Sequence, residues 1–303
     1  MSTPSNAMSE SFQAQSVAPA AFPATRALYW SVRRELWENR SIYIAPLAVA
    51  AVALFAFSIS AIAGIWEKLR LDSAHASEGV DIAAGLMMLT CIIVSVFYCL
   101  DALHSERRDR SILFWKSLPV SDLTTVLAKV SIPLVVLPLI TFAITVAMQG
   151  IMLLLSSLLL LGSGQSVAAL WTKLSFFRMS MILLYHLLTA HALWPLPVYC
   201  WLLLVSGWAR RATFLWAALP VVAIGGIELI VFRTWHFASM VGLRLIGDAP
   251  AFASMPGDGF PSGPMTHITA GTFLSSPGLW IGLVVAAGFL AAAVRLRRYQ
   301  GPI

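Results

Sequence analysis

The sequence has few charged residues for its length. Asp, Glu, Lys and Arg make up 11% of the 303 residues, whereas soluble globular domains contain about 25%. Apolar residues account for 59% of the chain. Because so little polar surface is available to cover a water-soluble globule, the composition argues against an ordinary soluble domain.

Cysteine is equally scarce. The three cysteines, Cys91, Cys99 and Cys200, all lie within apolar runs, and the sequence has no CxxC pair. This pattern is typical of small buried hydrophobic side chains, and it predicts neither a disulfide framework nor a metal site. A phosphate-binding GxxxxGK[ST] motif is also missing, so any ATP hydrolysis is expected on another chain.

The basic residues explain the net charge of +6 and lie in short clusters beside apolar runs. Such clusters are typical of the ends of membrane spans, where they determine orientation. No basic patch is interleaved with aromatic residues in the way that nucleic-acid binding requires, so the sequence predicts no nucleic-acid partner.

Long uncharged runs dominate the rest of the chain. A helix of about 20 residues crosses the roughly 30 Å of hydrocarbon in a bilayer, and backbone groups in lipid must bond within their own segment. The sequence therefore predicts an all-α membrane protein with a transmembrane domain over residues 42–298. Six spans are predicted, at residues 42–66, 82–100, 130–155, 179–208, 212–232 and 279–294.

Residues 1–25 are rich in Ser, Ala, Pro and Gln and contain no Lys or Arg. This composition predicts a disordered tail. A signal peptide would need a basic start closely followed by an apolar core, and the first long apolar run begins only after Arg40. We therefore expect the first span to be retained.

The positive charges predict which side of the membrane each loop occupies. With the N-terminus and the C-terminus both inside, 14 of the 20 Lys and Arg residues lie on the inner side, and five of them belong to the loop 101–129. Positive residues are enriched in cytoplasmic loops. The sequence thus predicts a multi-pass protein of the bacterial inner (plasma) membrane whose loop 101–129 faces the cytoplasm.

One segment leaves two alternatives open. Residues 130–172 contain no charge over 43 positions, and a single helix of that length would extend roughly 65 Å. Either one long span ends near Leu161, before Gly162, or a helical hairpin turns at Gln149-Gly150. We favour the single span because the Gly-Ser-Gly sequence at 162–164 is the stronger helix breaker.

The segment 26–41 precedes the first span and has an amphipathic pattern. Leu28, Tyr29, Val32, Leu36 and Trp37 fall on one side at helical spacing, with Arg33, Arg34 and Glu38 toward the other. Trp and Tyr suit the membrane interface, and Arg suits anionic head groups. We predict an N-terminal helix on the inner leaflet; a helical extension of the first span into water is the alternative.

The loop 101–129 combines charges with an apolar, aromatic group. Glu106 and Arg110 have the i, i+4 spacing of a helical ion pair, and Phe114 and Trp115 follow shortly afterwards. Pro119 ends this helix, and Ser121 or Asp122 is placed to cap the next one. A loop that only set topology would need the arginines but not the aromatic group, so we predict that this group contacts the bilayer or a soluble partner.

The external loop 233–278 joins the fifth and sixth spans. Its first part, 235–246, predicts a short amphipathic or re-entrant helix. The remainder, which contains Pro250, Pro256, Pro261, Pro264 and several glycines, is expected to be irregular.

The loop 101–129 resembles the cytoplasmic loop of type-2 ABC exporter permeases. The resemblance is carried by Glu-Arg-Arg at 106–108, Ser-Ile-Leu at 111–113, Ser-Leu-Pro-Val-Ser at 117–121 and Lys129. The layout of a helix before the first span, six spans and a long external segment is also similar. One departure is Asp109-Arg110, where the family often has Arg or Lys followed by Gly.

The resemblance implies a permease subunit that exports a substrate with energy from a separate ATPase. Its implied partners are an ATP-binding cassette subunit, which holds ATP and Mg²⁺, and a second permease chain in a homo- or heterodimer. The chain itself would bind no cofactor and perform no catalysis. The implied ATPase contacts are Glu106, Arg107, Arg108, Arg110, Phe114 and Trp115. A membrane scaffold or sensor that recruits a soluble partner through the same loop is the alternative.

Ionisable residues within spans are candidates for function. We predict that His186 and His191 in the fourth span and Glu228 in the fifth line a substrate path, with His186 and Glu228 paired at an outer gate. A structural ion pair, or a Glu228 side chain directed outward, is the alternative. His186 and His191 are i, i+5 and do not form an HExxH metal motif.

Overall fold

A computed structural model describes residues 24–66, 73–117, 120–163, 167–168, 171, 176–246 and 270–299. All regular elements among these residues are helical, and six helices are long and apolar enough to cross a membrane. The prediction of an all-α protein with six candidate spans is therefore confirmed. The predicted tail at 1–25 and the proline-rich part of the external loop lie almost entirely outside the described residues.

The first half of the chain begins with a short helix and contains the first three candidate spans. Its elements are α1 (Ala24–Glu38), α2 (Ser41–Trp66), α3 (Ser73–Asp101), α4 (His104–Arg108), α5 (Ser111–Ser117), α6 (Asp122–Ser131) and α7 (Leu137–Ser163). A π-helical segment, Ile132–Val136, joins α6 to α7.

The second half contains the other three candidate spans and three shorter helices. Its elements are α8 (Phe176–Leu188), α9 (Leu196–Trp208), α10 (Thr213–Phe232), α11 (His236–Ile246), α12 (Ala270–Ser275) and α13 (Pro277–Tyr299). A second π-helical segment, Thr189–Leu193, follows α8.

The third span is one continuous helical segment from Asp122 to Ser163. At 1.5 Å per residue it is about 60 Å long, so it extends well beyond a hydrocarbon layer of roughly 30 Å. Gln149 is buried inside the bundle and Gly150 lies within α7. The structure therefore has the single span and not the hairpin.

The fourth span is interrupted near its middle. The π-helical segment ends at a turn formed by Trp194 and Pro195, and Pro197 follows in the first turn of α9. Proline has no N–H to donate and ends the regular hydrogen-bond pattern. The amide of Trp194 donates to the carbonyl of Thr189, five residues earlier, which is the π-helical pattern.

The helix α9 lies at the centre of the bundle and packs between α3 and α13. Its Tyr199, Cys200 and Leu203 belong to the main hydrophobic core, together with Cys99 of α3 and Ala286 of α13. All three cysteines of the chain are free and buried, which confirms the prediction that they are buried apolar side chains.

Charged side chains gather at one end of the bundle, which we call the charged end. There α1, α6 and the end of α13 meet the short helices α4 and α5 through ion pairs and ring contacts. At the opposite end α11 folds back against α10, where Ala238 lies 3.6 Å from the position that a Cβ atom on Gly225 would occupy.

Candidate functional site

The loop at the charged end folds into two short helices that meet at a tight turn. Arg110 lies between α4 and α5 with φ of 58°, a left-handed conformation that favours glycine. Type-2 ABC exporter permeases, which the loop resembles in sequence, often have Gly at this position. The chain therefore forms this turn with an arginine, at a steric cost of about 1 kcal/mol.

Glu106 of α4 lies at the centre of a set of buried ion pairs. Its carboxylate is 3.2 Å from Arg34 Nη2 of α1 and 3.1 Å from Lys129 Nζ of α6, and it also pairs with Arg297 of α13. The side chains of Glu106, Lys129 and Arg297 are each at most 4% exposed. One carboxylate thus joins four helices.

Two further carboxylates complete this arrangement. Glu35 of α1 accepts from Lys129 Nζ at 2.8 Å and from the Tyr98 hydroxyl of α3 at 2.9 Å. Asp122, at the start of α6, accepts from Arg297 Nε at 3.0 Å. We refer to these six charged side chains as the buried ion cluster: Arg34, Glu35, Glu106, Asp122, Lys129 and Arg297.

The buried ion cluster contains three carboxylates and three cations, so its formal charge is zero. Removing ions from water costs several kcal/mol each, and close pairing with further hydrogen bonds must offset that cost. At Arg34, burial alone would lower the pKa, but the hydrogen bond with Glu38 and the charges of Glu35 and Glu106 raise it overall. Arg34 therefore stays protonated and holds α1 against α4.

The segment around α4 is also fixed to the end of α9. The Leu103 amide donates to Ser206 Oγ, Arg107 donates to the Gly207 carbonyl, and a ring nitrogen of His104 lies 3.2 Å from the carbonyl of Ala209. A Cβ atom on Gly207 would lie 3.3 Å from Leu103, so the glycine permits this close approach. These contacts and the ion pairs attach α4 firmly to the bundle.

The helix α5 presents apolar side chains to the outside. Leu113 and Phe114 are about 60% exposed, whereas Trp115 is half-buried. The Phe114 and Trp115 rings meet edge to face at 5.0 Å, and the Arg34 guanidinium lies over the Trp115 ring at 3.5 Å. The exposed aromatic ring is therefore connected to the buried ion cluster through two successive contacts.

The residues of this loop that the resemblance implies as ATPase contacts differ in their exposure. Arg108, Arg110 and Phe114 are exposed, while Glu106 and Arg107 are buried. Any contact with another protein would therefore involve α5 and the arginines beside it. Glu106 lies beneath this surface and would affect such a contact only through the side chains that it binds. Glu106 pairs with distant cations, and Arg110 is not among its partners.

Sequence reasoning missed several members of the buried ion cluster, above all Glu35 and Arg297. A signal was present for Glu35, because it lies between Val32 and Leu36 on a face that is otherwise apolar. In the sequence, Arg297 is only one of the 14 Lys and Arg residues predicted on the inner side. Its burial results from α13 packing beside α6, which no local pattern reveals.

The predicted outer gate has a different geometry. Glu228 accepts from the Thr234 hydroxyl at 2.9 Å and from the amides of His236 and Phe237 at 2.8 Å. It therefore caps the N-terminus of α11, an arrangement that satisfies free amide groups. The structure pairs Glu228 with these groups and not with His186.

The two histidines of the fourth span lie around its π-helical segment. His186 is buried, and its carbonyl is 3.3 Å from Nδ1 of His191. The Tyr199 hydroxyl donates to the carbonyl of His191. Within the described ranges, no group of three His, Cys, Asp or Glu side chains is arranged to hold a metal ion.

Comparisons of the chain with protein-family models, with curated proteins and with solved structures give no match. The resemblance to type-2 ABC exporter permeases therefore rests on the loop motif and on the layout of the helices.

Proposed function

We propose that this protein is the membrane-spanning permease subunit of an ATP-driven exporter. In this proposal the charged end faces the cytoplasm, a separate ATP-binding cassette subunit binds α5, and a second permease chain completes the assembly. The observation that carries the proposal is the attachment of the exposed α5 surface to the buried ion cluster, through Phe114, Trp115, Arg34 and Glu106 in turn.

This attachment supports a role in force transmission. A partner that moves α5 would displace Trp115, and the Arg34 guanidinium on that ring would transfer the displacement to α1 and to Glu106. Because Glu106 also binds Lys129 and Arg297, α6 and α13 would follow. ATP and Mg²⁺ would remain on the partner, and the permease would couple their chemistry to movement of the spans.

The experiment is co-purification of the full chain with any protein from a neighbouring reading frame that carries a GxxxxGK[ST] motif, followed by hydrolysis assays of the complex. Phe114→Ala is compared with Phe214→Ala, since Phe214 of α10 has a similar exposure of 64%. Interface hot spots contribute about 2 kcal/mol or more, so we expect Phe114→Ala to weaken the complex at least about 30-fold and Phe214→Ala to leave it unchanged.

Trp115→Ala tests transmission separately from docking. We expect a complex that still forms but whose hydrolysis no longer responds to substrate, because the Arg34–Trp115 contact is lost. Equal behaviour of the Phe114 and Phe214 variants, or a permease that captures no ATPase, would overturn the proposal. A stable complex through α5 with a partner that hydrolyses no ATP would favour the scaffold or sensor alternative.

A further inference from the structure

A stripe of alternating arginine and tryptophan runs along the outer side of α1. It consists of Arg26, Trp30, Arg33 and Trp37, which are spaced four or three residues apart and share one face of α1, and of Arg40, which lies two residues beyond the end of α1. All five side chains are exposed. We call this set the Arg–Trp stripe.

The stripe differs from the face that the sequence pattern indicated. It also corrects the expectation that no basic patch is interleaved with aromatic residues, because arginine and tryptophan alternate along it. Val32 and Leu36 pack against the hydrophobic core, and Glu35 is buried in the ion cluster. Trp37, which was grouped with them, is 71% exposed. The apolar side of α1 is thus occupied by the protein itself, and the exposed side combines aromatic rings with positive charge.

Contacts within the stripe order its central residues. The guanidinium of Arg33 lies 5.1 Å from the ring of Trp30 and 5.2 Å from the ring of Trp37. Cation–π contacts of this kind stabilise exposed pairs modestly, and they hold the arginine between the two rings. The nearby acid Glu38 is bound to Arg34, which is not a member of the stripe. Glu38 therefore does not pair with an arginine of the stripe.

The stripe leads directly into the first candidate span. α2 begins at Ser41, next to Arg40, and its outward side chains Ile44 and Leu47 are each 52% exposed. A stripe that continues into the lipid-facing surface of a span lies at the depth of the phospholipid head groups. Tryptophan is enriched at that depth, and arginine binds phosphate through paired N–H groups.

We propose that the Arg–Trp stripe is a binding site for anionic phospholipids, with their phosphate groups held by Arg26, Arg33 and Arg40. The inference goes beyond the proposed transport function and does not depend on it. The charge of the stripe selects lipids with a net negative charge, and the tryptophans rest at the boundary between head groups and acyl chains. Glu35 lies on the other side of α1 and binds Lys129, and Arg34 lies over the Trp115 ring. Bound lipid would therefore also fix the helix that holds Trp115.

The test measures lipid binding to the purified full chain in detergent by native mass spectrometry and by the shift in thermal unfolding. Phosphatidylglycerol is compared with phosphatidylcholine, and titration with each lipid gives an affinity. The stripe variant is R26Q/R33Q/R40Q. The control variant R210Q/R211Q/R298Q removes the same charge from exposed arginines outside α1.

Each basic residue near an anionic surface contributes about 1 kcal/mol, which is roughly fivefold in affinity. We expect the stripe variant to bind phosphatidylglycerol on the order of 100-fold more weakly and the control variant to stay within about threefold of the wild type. Arg33→Lys keeps the charge but loses the paired N–H groups, so its affinity should fall by less than the roughly fivefold expected when one charge is removed. Phosphatidylcholine binding should be the same for all variants.

Three results would overturn the proposal. The stripe variant could retain phosphatidylglycerol as well as the wild type does. The control variant could lose as much affinity as the stripe variant, which would assign the effect to overall charge. Finally, glycerophosphoglycerol, the head group without acyl chains, could bind as tightly as the lipid, which would identify a soluble anion as the ligand.

Discussion

Glu106 accepts from cations on three other helices, and its side chain is 4% exposed. Buried ion pairs add little net stability compared with apolar packing, but removal of one partner leaves the others charged and out of water. The carboxylate of Glu106 is therefore the group whose loss should affect the charged end most.

At the residue scale we predict that Glu106→Gln lowers the free energy of unfolding by about 3–5 kcal/mol. The neutral amide no longer compensates Lys129 and Arg297, which remain buried. Denaturant or thermal unfolding of the purified protein measures the change. Asp109→Asn is the matched control, because Asp109 is 61% exposed and exposed ion pairs contribute at most about 1 kcal/mol. Equal destabilisation by both substitutions would contradict this account.

The partners of Glu106 show where sequence reasoning reached its limit. The spacing of Glu106 and Arg110 predicts a helical ion pair only if the helix continues through both residues. α4 ends at Arg108, and Arg110 adopts a left-handed conformation, so the pair cannot form along one helix face. Lys129 and Arg297 come from distant parts of the chain, and Arg297 lies 191 positions from Glu106. Only the tertiary packing determines that they meet.

The helix α11 is the element most clearly held in place by charged side chains at both ends. Glu228 caps its first turn. In its last turn Arg244 donates to the carbonyls of Trp194 and Gly278 and lies 4.1 Å from the Trp194 ring. A negative charge at the N-terminus and a positive one at the C-terminus both suit the helix dipole.

At the element scale we predict that Gly282→Ala loosens α11. A Cβ atom at this position would lie 2.7 Å from Arg244 Nη1 and 3.1 Å from Pro197, so the arginine must move from its carbonyl partners. Overpacking typically costs about 1–3 kcal/mol, although alanine regains about 1 kcal/mol as a helix former. Hydrogen exchange of α11 should therefore increase even if the melting temperature changes little.

Gly288→Ala is the matched control for this change. Gly288 lies in the same helix, and nothing lies within 4 Å of the position that a Cβ atom would occupy there. We expect this substitution to leave exchange in α11 unaltered and to raise the melting temperature slightly. Faster exchange in α11 with Gly288→Ala, or unchanged exchange with Gly282→Ala, would show that Arg244 does not hold this helix.

Elements were easier to predict from the sequence than the contacts between them. A short helix was expected near 235–246, and α11 occupies His236–Ile246. The capping role of Glu228 was missed because it depends on the turn at Arg233, whose φ of 54° brings the start of α11 back to the carboxylate. A turn of this kind has no clear signal when the residue is not glycine.

For the whole molecule, the orientation in the membrane stays a prediction, and the fourth span offers a direct measurement. Arg178 and Arg211 are both exposed and lie near its opposite ends. We expect a membrane-impermeant maleimide to label Arg178→Cys in intact cells and Arg211→Cys only after permeabilisation. The three natural cysteines are buried, so the unmodified protein is the low-background control. The reverse labelling pattern would contradict the charge-based orientation.

The number of spans followed from the sequence because uncharged runs of sufficient length are rare outside membranes. The ambiguous segment also folds as the breaker residues indicated, since Asp122–Ser163 is helical throughout. What the sequence could not supply was the lateral arrangement of the helices. α9 lies between α3 and α13, and this packing determines which charged residues at the helix ends meet.

The buried ion cluster has a consequence for how the chain is made. The ribosome delivers its first five members, from Arg34 to Lys129, long before Arg297, so an unfinished chain has one carboxylate more than it has cations at this site. Only the arrival of α13 balances the charge and closes the packing around Glu106. A nascent chain that stalls before residue 297 would therefore carry one uncompensated negative charge at this site.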